Sequence, residues 1–257
     1  MLLTAALLLT GCDLLEDARE ELTDLTNPLV GQVMLVGIAE PEDATVAAAL
    51  EGTDWEMGMF AQVFLADATS ANDLSNAPVG NATVKAKIGT NAAILLTEDD
   101  AGSYSATNQD GLVYQVNANV EVSVNLEGGP ALLTNKLPEE PDLDIPTQQA
   151  KGAKMIVDLA DGNYNAVLGV VVNAQTQAIV WSNEPTTAEE IYDFTHNDEA
   201  VNKLEIPGAS FANPGVYAVG IAGLVNGEAE DFENVNSLLS GFMAGKMSLY
   251  PVTVLPN

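Results

Sequence analysis

Two stretches of this chain change character at every residue. In 81–89, Ala82, Val84, Ala86 and Ile88 alternate with Thr83, Lys85 and Lys87; in 119–126, Val120, Val122, Val124 and Leu126 alternate with Glu121, Ser123 and Asn125. Side chains of a strand point to opposite faces in turn, so a period of two predicts strands with one face in a core and the other in water. The same reading extends to the apolar runs 31–39 and 57–67, and to strand-and-turn segments between 151 and 224. Many short strands separated by Gly, Asn and Asp turns predict an antiparallel sandwich or barrel. Helices are few. Pro41, Glu42 and Asp43 open an Ala-rich stretch to 52, a good helix start. Thr186 with Glu189, or Thr187 with Glu190, forms a capping-box pattern over 186–194, and 231–247 carries helix-like apolar spacing.

The stretch 128–150 breaks the strand pattern. It holds Pro130, Pro138, Pro141 and Pro146 among Glu139, Glu140, Asp142 and Asp144, a connector composition. The expected division is a leader over 1–11, an acidic tether over 12–27, a β-sandwich over 28–127, a connector over 128–150 and a second sandwich over 151–257. A single larger sandwich built from both halves is the alternative.

Composition narrows the partners. The chain has 37 acidic and 8 basic residues, a net charge of −29, and 47% of its residues are hydrophobic. The apolar share is enough for a substantial core. The charge would repel nucleic acid and anionic lipid headgroups, since duplex binding needs a cationic footprint. Cys12 is the only cysteine, so no internal disulfide can form and packing has to hold the fold.

The residues before Cys12 give it a context. Leu2 to Leu9 is apolar except for Thr4 but far short of the ~20 residues a membrane-spanning helix needs. It fits the apolar region of a secretory leader. Leu9-Thr10-Gly11-Cys12 resembles the bacterial lipobox: an aliphatic residue, a small one, Gly or Ala, then Cys. The resemblance implies a diacylglyceryl thioether on Cys12, cleavage just before it, and attachment to the lipid bilayer of the cell envelope, with the outer membrane or cell surface favoured. Two or three acyl chains on one residue would make a stable anchor, whereas one binds only marginally.

Two further resemblances concern the fold. The sequence 206–224, IPGASFANPGVYAVGIAGL, is similar to the middle of a fibronectin type III or related Ig-like domain. Pro214-Gly215-Val216-Tyr217 matches the turn and tyrosine, and Trp181 sits where such sandwiches keep a core tryptophan. The resemblance implies packing roles for Trp181 and Tyr217. The first half, through 77–89, 99–107 and 114–125, is similar to the Ig-like or prealbumin-like modules of surface proteins. Together these give a mainly β chain with two antiparallel Ig-like or fibronectin III-like sandwich modules and a few short helices.

Candidate chemistry is sparse. His196, the only histidine, lies in a polar loop and reads as a solvated residue. Ser210 in GASFA lacks the second glycine of a nucleophile elbow. GFMAGKM (241–247) is one residue short of a phosphate loop, so Gly241 and Gly245 read as points of close packing. Adjacent acids, Glu139/Glu140 and Glu189/Glu190, are expected by chance in so acidic a chain. Calcium is the metal the sequence best suits, through Asp99, Asp100 and Asp110 beside Glu98, or through Asp158 and Asp161. The competing reading is that Asp simply favours turns. No cofactor is expected otherwise. The functional expectation is a non-catalytic binding, adhesion or structural protein of the envelope with a protein or glycan partner. A solute- or glycan-binding protein that uses Trp55 is the alternative, and a hydrolase the third reading.

Overall fold

In the computed structural model, the described residues are 28–50, 58–68, 77–126, 129–159, 164–184, 194–197, 200–228, 232–237 and 239–256. The leader, Cys12, the tether, Trp55, Asp161, Glu189, Glu190 and most of the 186–194 helix lie outside them. The chain is mainly β, with several sheets, and the described residues include one complete short α-helix. No helix among the described residues is long and apolar enough to cross a membrane.

The large sheet has nine strands: β1 (Leu29–Ile38), β2 (Gly58–Asp67), β5 (Thr97–Asp100), β6 (Ser103–Thr107), β10 (Gln148–Ala150), β12 (Ala166–Asn173), β13 (Ala178–Ser182), β15 (Gly215–Asn226) and β16 (Gly241–Leu255). Its order is β13-β12-β15-β16-β1-β2-β6-β5, with β10 beside the end of β16. A four-stranded sheet contains β3 (Thr83–Ile88), β4 (Ile94–Leu95), β7 (Asn119–Leu126) and β8 (Gly129–Lys136). A three-stranded sheet contains β9 (Leu143–Asp144), β11 (Met155–Leu159) and β14 (Lys203–Ile206). Pairing is antiparallel except where β16 meets β1 and β10 in parallel.

Three cores follow from this layering. One lies between the four-stranded sheet and β1, β2, β6 and β16, where Val84, Ala86, Ile88, Val120, Val122 and Val124 meet Val33, Leu35, Val63 and Phe242. Val84, Ala86, Ile88, Val120, Val122 and Val124 are inward residues of the two alternating stretches, all 3% exposed or less, while Ala82 and Leu126 at the ends are partly buried against the same core. A second joins the three-stranded sheet to β12, β15 and β16 through Met155, Val157, Ile206, Val171, Val219 and Val252. On the opposite face of the large sheet the helix α1 (Ala44–Leu50) lays Val46, Ala49 and Leu50 against Val36, Leu168, Ala222 and Met243. Asp43 caps that helix, accepting from the Thr45 amide at 2.7 Å and the Val46 amide at 3.3 Å. The bond from the Thr45 amide, first among the causes, holds the Asp43 carboxyl below its ordinary value.

Two segments differ from the sequence expectation. Residues 241–247 are the start of the longest strand, not part of a helix. Phe242 and Ala244 face one core and Met243 and Met247 another, so both faces are buried and no alternation survives in the sequence. The close packing read at Gly245 is between strands: a Cβ there would lie 2.5 Å from the Gly223 carbonyl oxygen. Within 128–150, Gly129–Lys136, Leu143–Asp144 and Gln148–Ala150 are strands, and the large sheet takes strands from both sides of this span.

Candidate functional site

β16 crosses both cores on one face of the large sheet. Phe242 and Ala244 enter the first core, and Val252 and Val254 the second. Between them, by the period of two, Lys246, Ser248 and Tyr250 share that face and form the seam of the molecule. Lys246 stands in register with Gly37 on β1 and with Gly223 on β15. Each glycine is covered by a tyrosine ring. A Cβ on Gly37 would lie 2.4 Å from the Tyr114 ring, and one on Gly223 would lie 2.5 Å from Tyr164. An isolated glycine inside a strand marks such a close approach. The lysine row is therefore Gly-Lys-Gly across three strands, roofed by two tyrosines.

The Lys246 ammonium donates to Glu140 Oε1, and the Ser248 hydroxyl donates to Glu140 Oε2 at 2.9 Å. Burial works against the Glu140 charge, but the bonds from Lys246 and Ser248 and the lysine charge outweigh it and hold the carboxyl below its ordinary value. The Tyr114 hydroxyl donates to the Pro138 carbonyl at 2.8 Å, and burial pushes its pKa well above the ordinary tyrosine range. Tyr250 is raised too, first by burial, with Glu140, Asp142 and Glu42 adding to it. The seam thus pins residues 138–140 onto the middle strand of the large sheet. Its polar atoms are engaged by one another, which suits a fastening more than a site of turnover.

A polar cleft of about 450 Å³ opens between the outer face of β7 and β8 and the end of β15. Asn119, Glu121, Thr134, Lys136, Asn226 and Glu228 line it, with no aromatic side chain among its walls. Glu121 also takes a cross-strand contact from Lys87 at 3.4 Å. Asn226 donates to the Thr195 carbonyl, which ties the cleft floor to 194–197.

The structure separates the acids read as calcium ligands. Asp99 and Asp100 lie on β5, exposed, while Asp110 lies in a 3₁₀ turn beyond the far end of β6. Asp100 pairs with Ser103 and β6 runs on to Thr107, so roughly 13 Å of strand lies between the two acidic positions. Asp110 is committed locally: its carboxylate accepts from the Thr107 amide at 2.9 Å and completes a capping box. Glu98 accepts from the Asn81 amide at 3.0 Å. Asp158 meets Lys203 at 3.5 Å. Among the described residues, no three of His, Cys, Asp and Glu are grouped to hold a metal ion.

His196 is not the solvated residue its polar neighbours suggest. Nδ1 lies 2.7 Å from Thr195 Oγ1, and Nε2 is buried. Thr195 is 6% exposed and packs beneath Gly241, and its contact with His196 is part-buried. Ser210 is buried in a 3₁₀ turn. Tyr217 has the packing role its resemblance implies. It is 1% exposed, stacks edge-on with Phe211 at 5.6 Å and donates to the Asn213 carbonyl at 2.9 Å. Trp181 lies at the sheet edge on β13, half-buried, with its ring over Gly169.

No family model matches this chain, and no curated protein matches it. Solved structures similar to it include DIP-gamma IG1+IG2, at 8% identity and a TM-score of 0.20, covering 89% of this chain and 99% of that one. The titin domains z1z2, solved in complex with telethonin, match at 11% identity and 0.21, covering 90% and 96%. The chicken CNTN1 FN1-FN3 domains match at 9% identity and 0.22, covering 77% and 64%.

Proposed function

We propose that this chain is a lipid-anchored protein of the bacterial envelope with a non-catalytic binding or structural role. The carrying observation is Leu9-Thr10-Gly11-Cys12, an apolar leader ending in the only cysteine of the chain. Acyl chains on Cys12 supply the membrane affinity that a −29 surface would otherwise oppose. The chemistry of the described residues supports the non-catalytic part. Glu140 is used by Lys246 and Ser248, and Thr195, beside His196, is buried. Neither has the exposed nucleophile with a base in reach that covalent catalysis needs.

The polar cleft on β7 and β8 favours a second reading, binding of a small polar solute. Its lining has amide, hydroxyl, ammonium and carboxylate groups but no ring on which a sugar could stack. Mass spectrometry of the mature N-terminus tests the first reading and is expected to show a lipid-bearing Cys12. Cys12→Ser should move the protein out of the membrane fraction. A mature chain without lipid, or a variant that partitions as before, would overturn the anchor.

A further inference from the structure

The walls of the polar cleft on β7 and β8 are held in place by fixed parts. Asn135 Nδ2 donates to the Val225 carbonyl at 3.0 Å and to the Phe242 carbonyl at 2.8 Å, and its Oδ1 accepts from the Lys136 amide at 2.7 Å. One side chain therefore ties β8 to β15 and β16 and sets the spacing of the two walls. At Gly227 the walls almost touch. A Cβ there would lie 2.3 Å from the Thr134 carbonyl oxygen, an approach that glycine alone permits. Walls already in position lose less freedom when a ligand enters.

The charges of the cleft are set apart. Lys136 lies on β8, opposite Asn119 in register, and Glu228 lies just beyond the end of β15. Both line the cleft, and among the described residues neither makes an ion pair. Glu121 is diagonal to Lys136 but is engaged by Lys87 at 3.4 Å. One wall thus offers an ammonium and the other a carboxylate. Between them Asn226 keeps Oδ1 as a buried acceptor with no donor.

We infer that this cleft binds a free amino acid, a small zwitterion with a primary ammonium and a carboxylate. The inference rests on the second reading above, that the cleft binds a small polar solute. The lining selects the class. A plain anion would meet one ammonium and two carboxylates, in a chain of net charge −29. A plain cation would face Lys136 here and find better sites elsewhere on the acidic surface. An uncharged solute would strip water from Lys136 and Glu228 and return no charge to either. A zwitterion answers both, with its carboxylate toward Lys136 and its ammonium toward Glu228. Having no net charge, it is not repelled by the rest of the surface. A primary ammonium also brings N–H donors for a carboxylate. A quaternary one brings none and relies on aromatic rings, which the lining lacks.

Nitrogen–proton NMR on the full chain tests the inference. The side-chain amides of Asn119 and Asn226 report from the cleft, and the Trp181 indole, on a strand two places from β15, is the control. Titration with free amino acids is expected to shift both reporters saturably and to leave the indole in place. Acetate, ethylammonium and glycine betaine each lack one charge or the N–H donors, and should bind about tenfold more weakly or worse. Lys136→Met and Glu228→Gln should each weaken amino-acid binding by about tenfold or more. Both positions are exposed, so the variants should melt as wild type does. If no amino acid moves the reporters but glycerol does, the cleft still binds a polar solute and this inference alone fails. If nothing moves them, both fail. Binding that glycine betaine matches, or that either variant leaves equally tight, would also overturn the inference.

Discussion

Lys246 on the last strand donates to Glu140 in the segment between β8 and β9, 106 residues earlier. The pair fastens a proline-rich stretch to the middle of the sheet at the seam of two cores. Its side chains are 22% and 44% exposed, between a buried and a surface ion pair. Glu140→Gln should therefore cost about 1 kcal/mol, toward the upper end for exposed pairs. The pH dependence has a definite sign. The folded-state carboxyl sits below its ordinary 4.5, so the charged form contributes stability above that value and loses it as pH falls through the folded value. Thermal melts of wild type and Glu140→Gln should differ at neutral pH and converge on acidification below about 4.5. A gap that persists in acid would mean that the charge of Glu140 is irrelevant.

The glycines on either side of Lys246 should tolerate no side chain. Alanine at Gly37 drives its Cβ into the Tyr114 ring, and alanine at Gly223 drives it into Tyr164. Each should lose about 1–3 kcal/mol in urea melts, the usual range for overpacking. Tyr114→Phe should lose less, about 1 kcal/mol, because it gives up only the bond to the Pro138 carbonyl. If Gly37→Ala is as stable as wild type, the ring does not sit on the glycine.

The alternating strands and α1 could be read from sequence because their patterns record a single buried face. The inward Val120, Val122 and Val124 of β7 are where the period of two puts them, and α1 begins just after the Pro41, Glu42 and Asp43 that signalled a helix start. The end of β16 was legible as a last strand over 249–256, but its start, 241–247, was hidden because both faces are covered there, so the apolar residues run together as they would in a buried helix. The strands within 128–150 were hidden by their prolines and acids, one of which, Glu140, is held by a lysine far away in sequence. The seam needed two strand registers at once, Gly37 with Lys246 and Lys246 with Gly223. Its only trace in sequence was a glycine set in each of two apolar runs.

Tyr217 offers a separate test of the second core. Its hydroxyl reaches back to Asn213, tying the start of β15 to the loop before it. Tyr217→Phe keeps the edge-on contact with Phe211 and removes only that bond. The residue is buried, so the Asn213 carbonyl is left without this donor and the cost should be about 1 kcal/mol in chemical denaturation. Tyr217→Ala should cost about 3–5 kcal/mol, because it also opens a cavity beside Phe211 and Ile206. Equal losses in the two variants would contradict this division.

The last prediction concerns Asp99, Asp100 and Asp110. A calcium ion held by all three would clamp two loops, and ion binding to the folded chain alone would raise its melting temperature. The hairpin instead sets Asp110 beyond one end of β6 and Asp100 opposite the other. Asp110 already serves the Thr107 amide. Asp110→Ala should therefore destabilise by about 0.5–2 kcal/mol through loss of the capping box, equally in calcium and in chelator. Asp99→Asn with Asp100→Asn should change little beyond relieving local repulsion, because both residues are exposed on an edge strand. Melts in calcium and in chelator at matched ionic strength separate the two cases, since screening of a −29 surface responds to both solutions alike. A calcium-specific rise that Asp110→Ala abolishes would require β5 and the 3₁₀ turn to meet, against the register of β5 with β6.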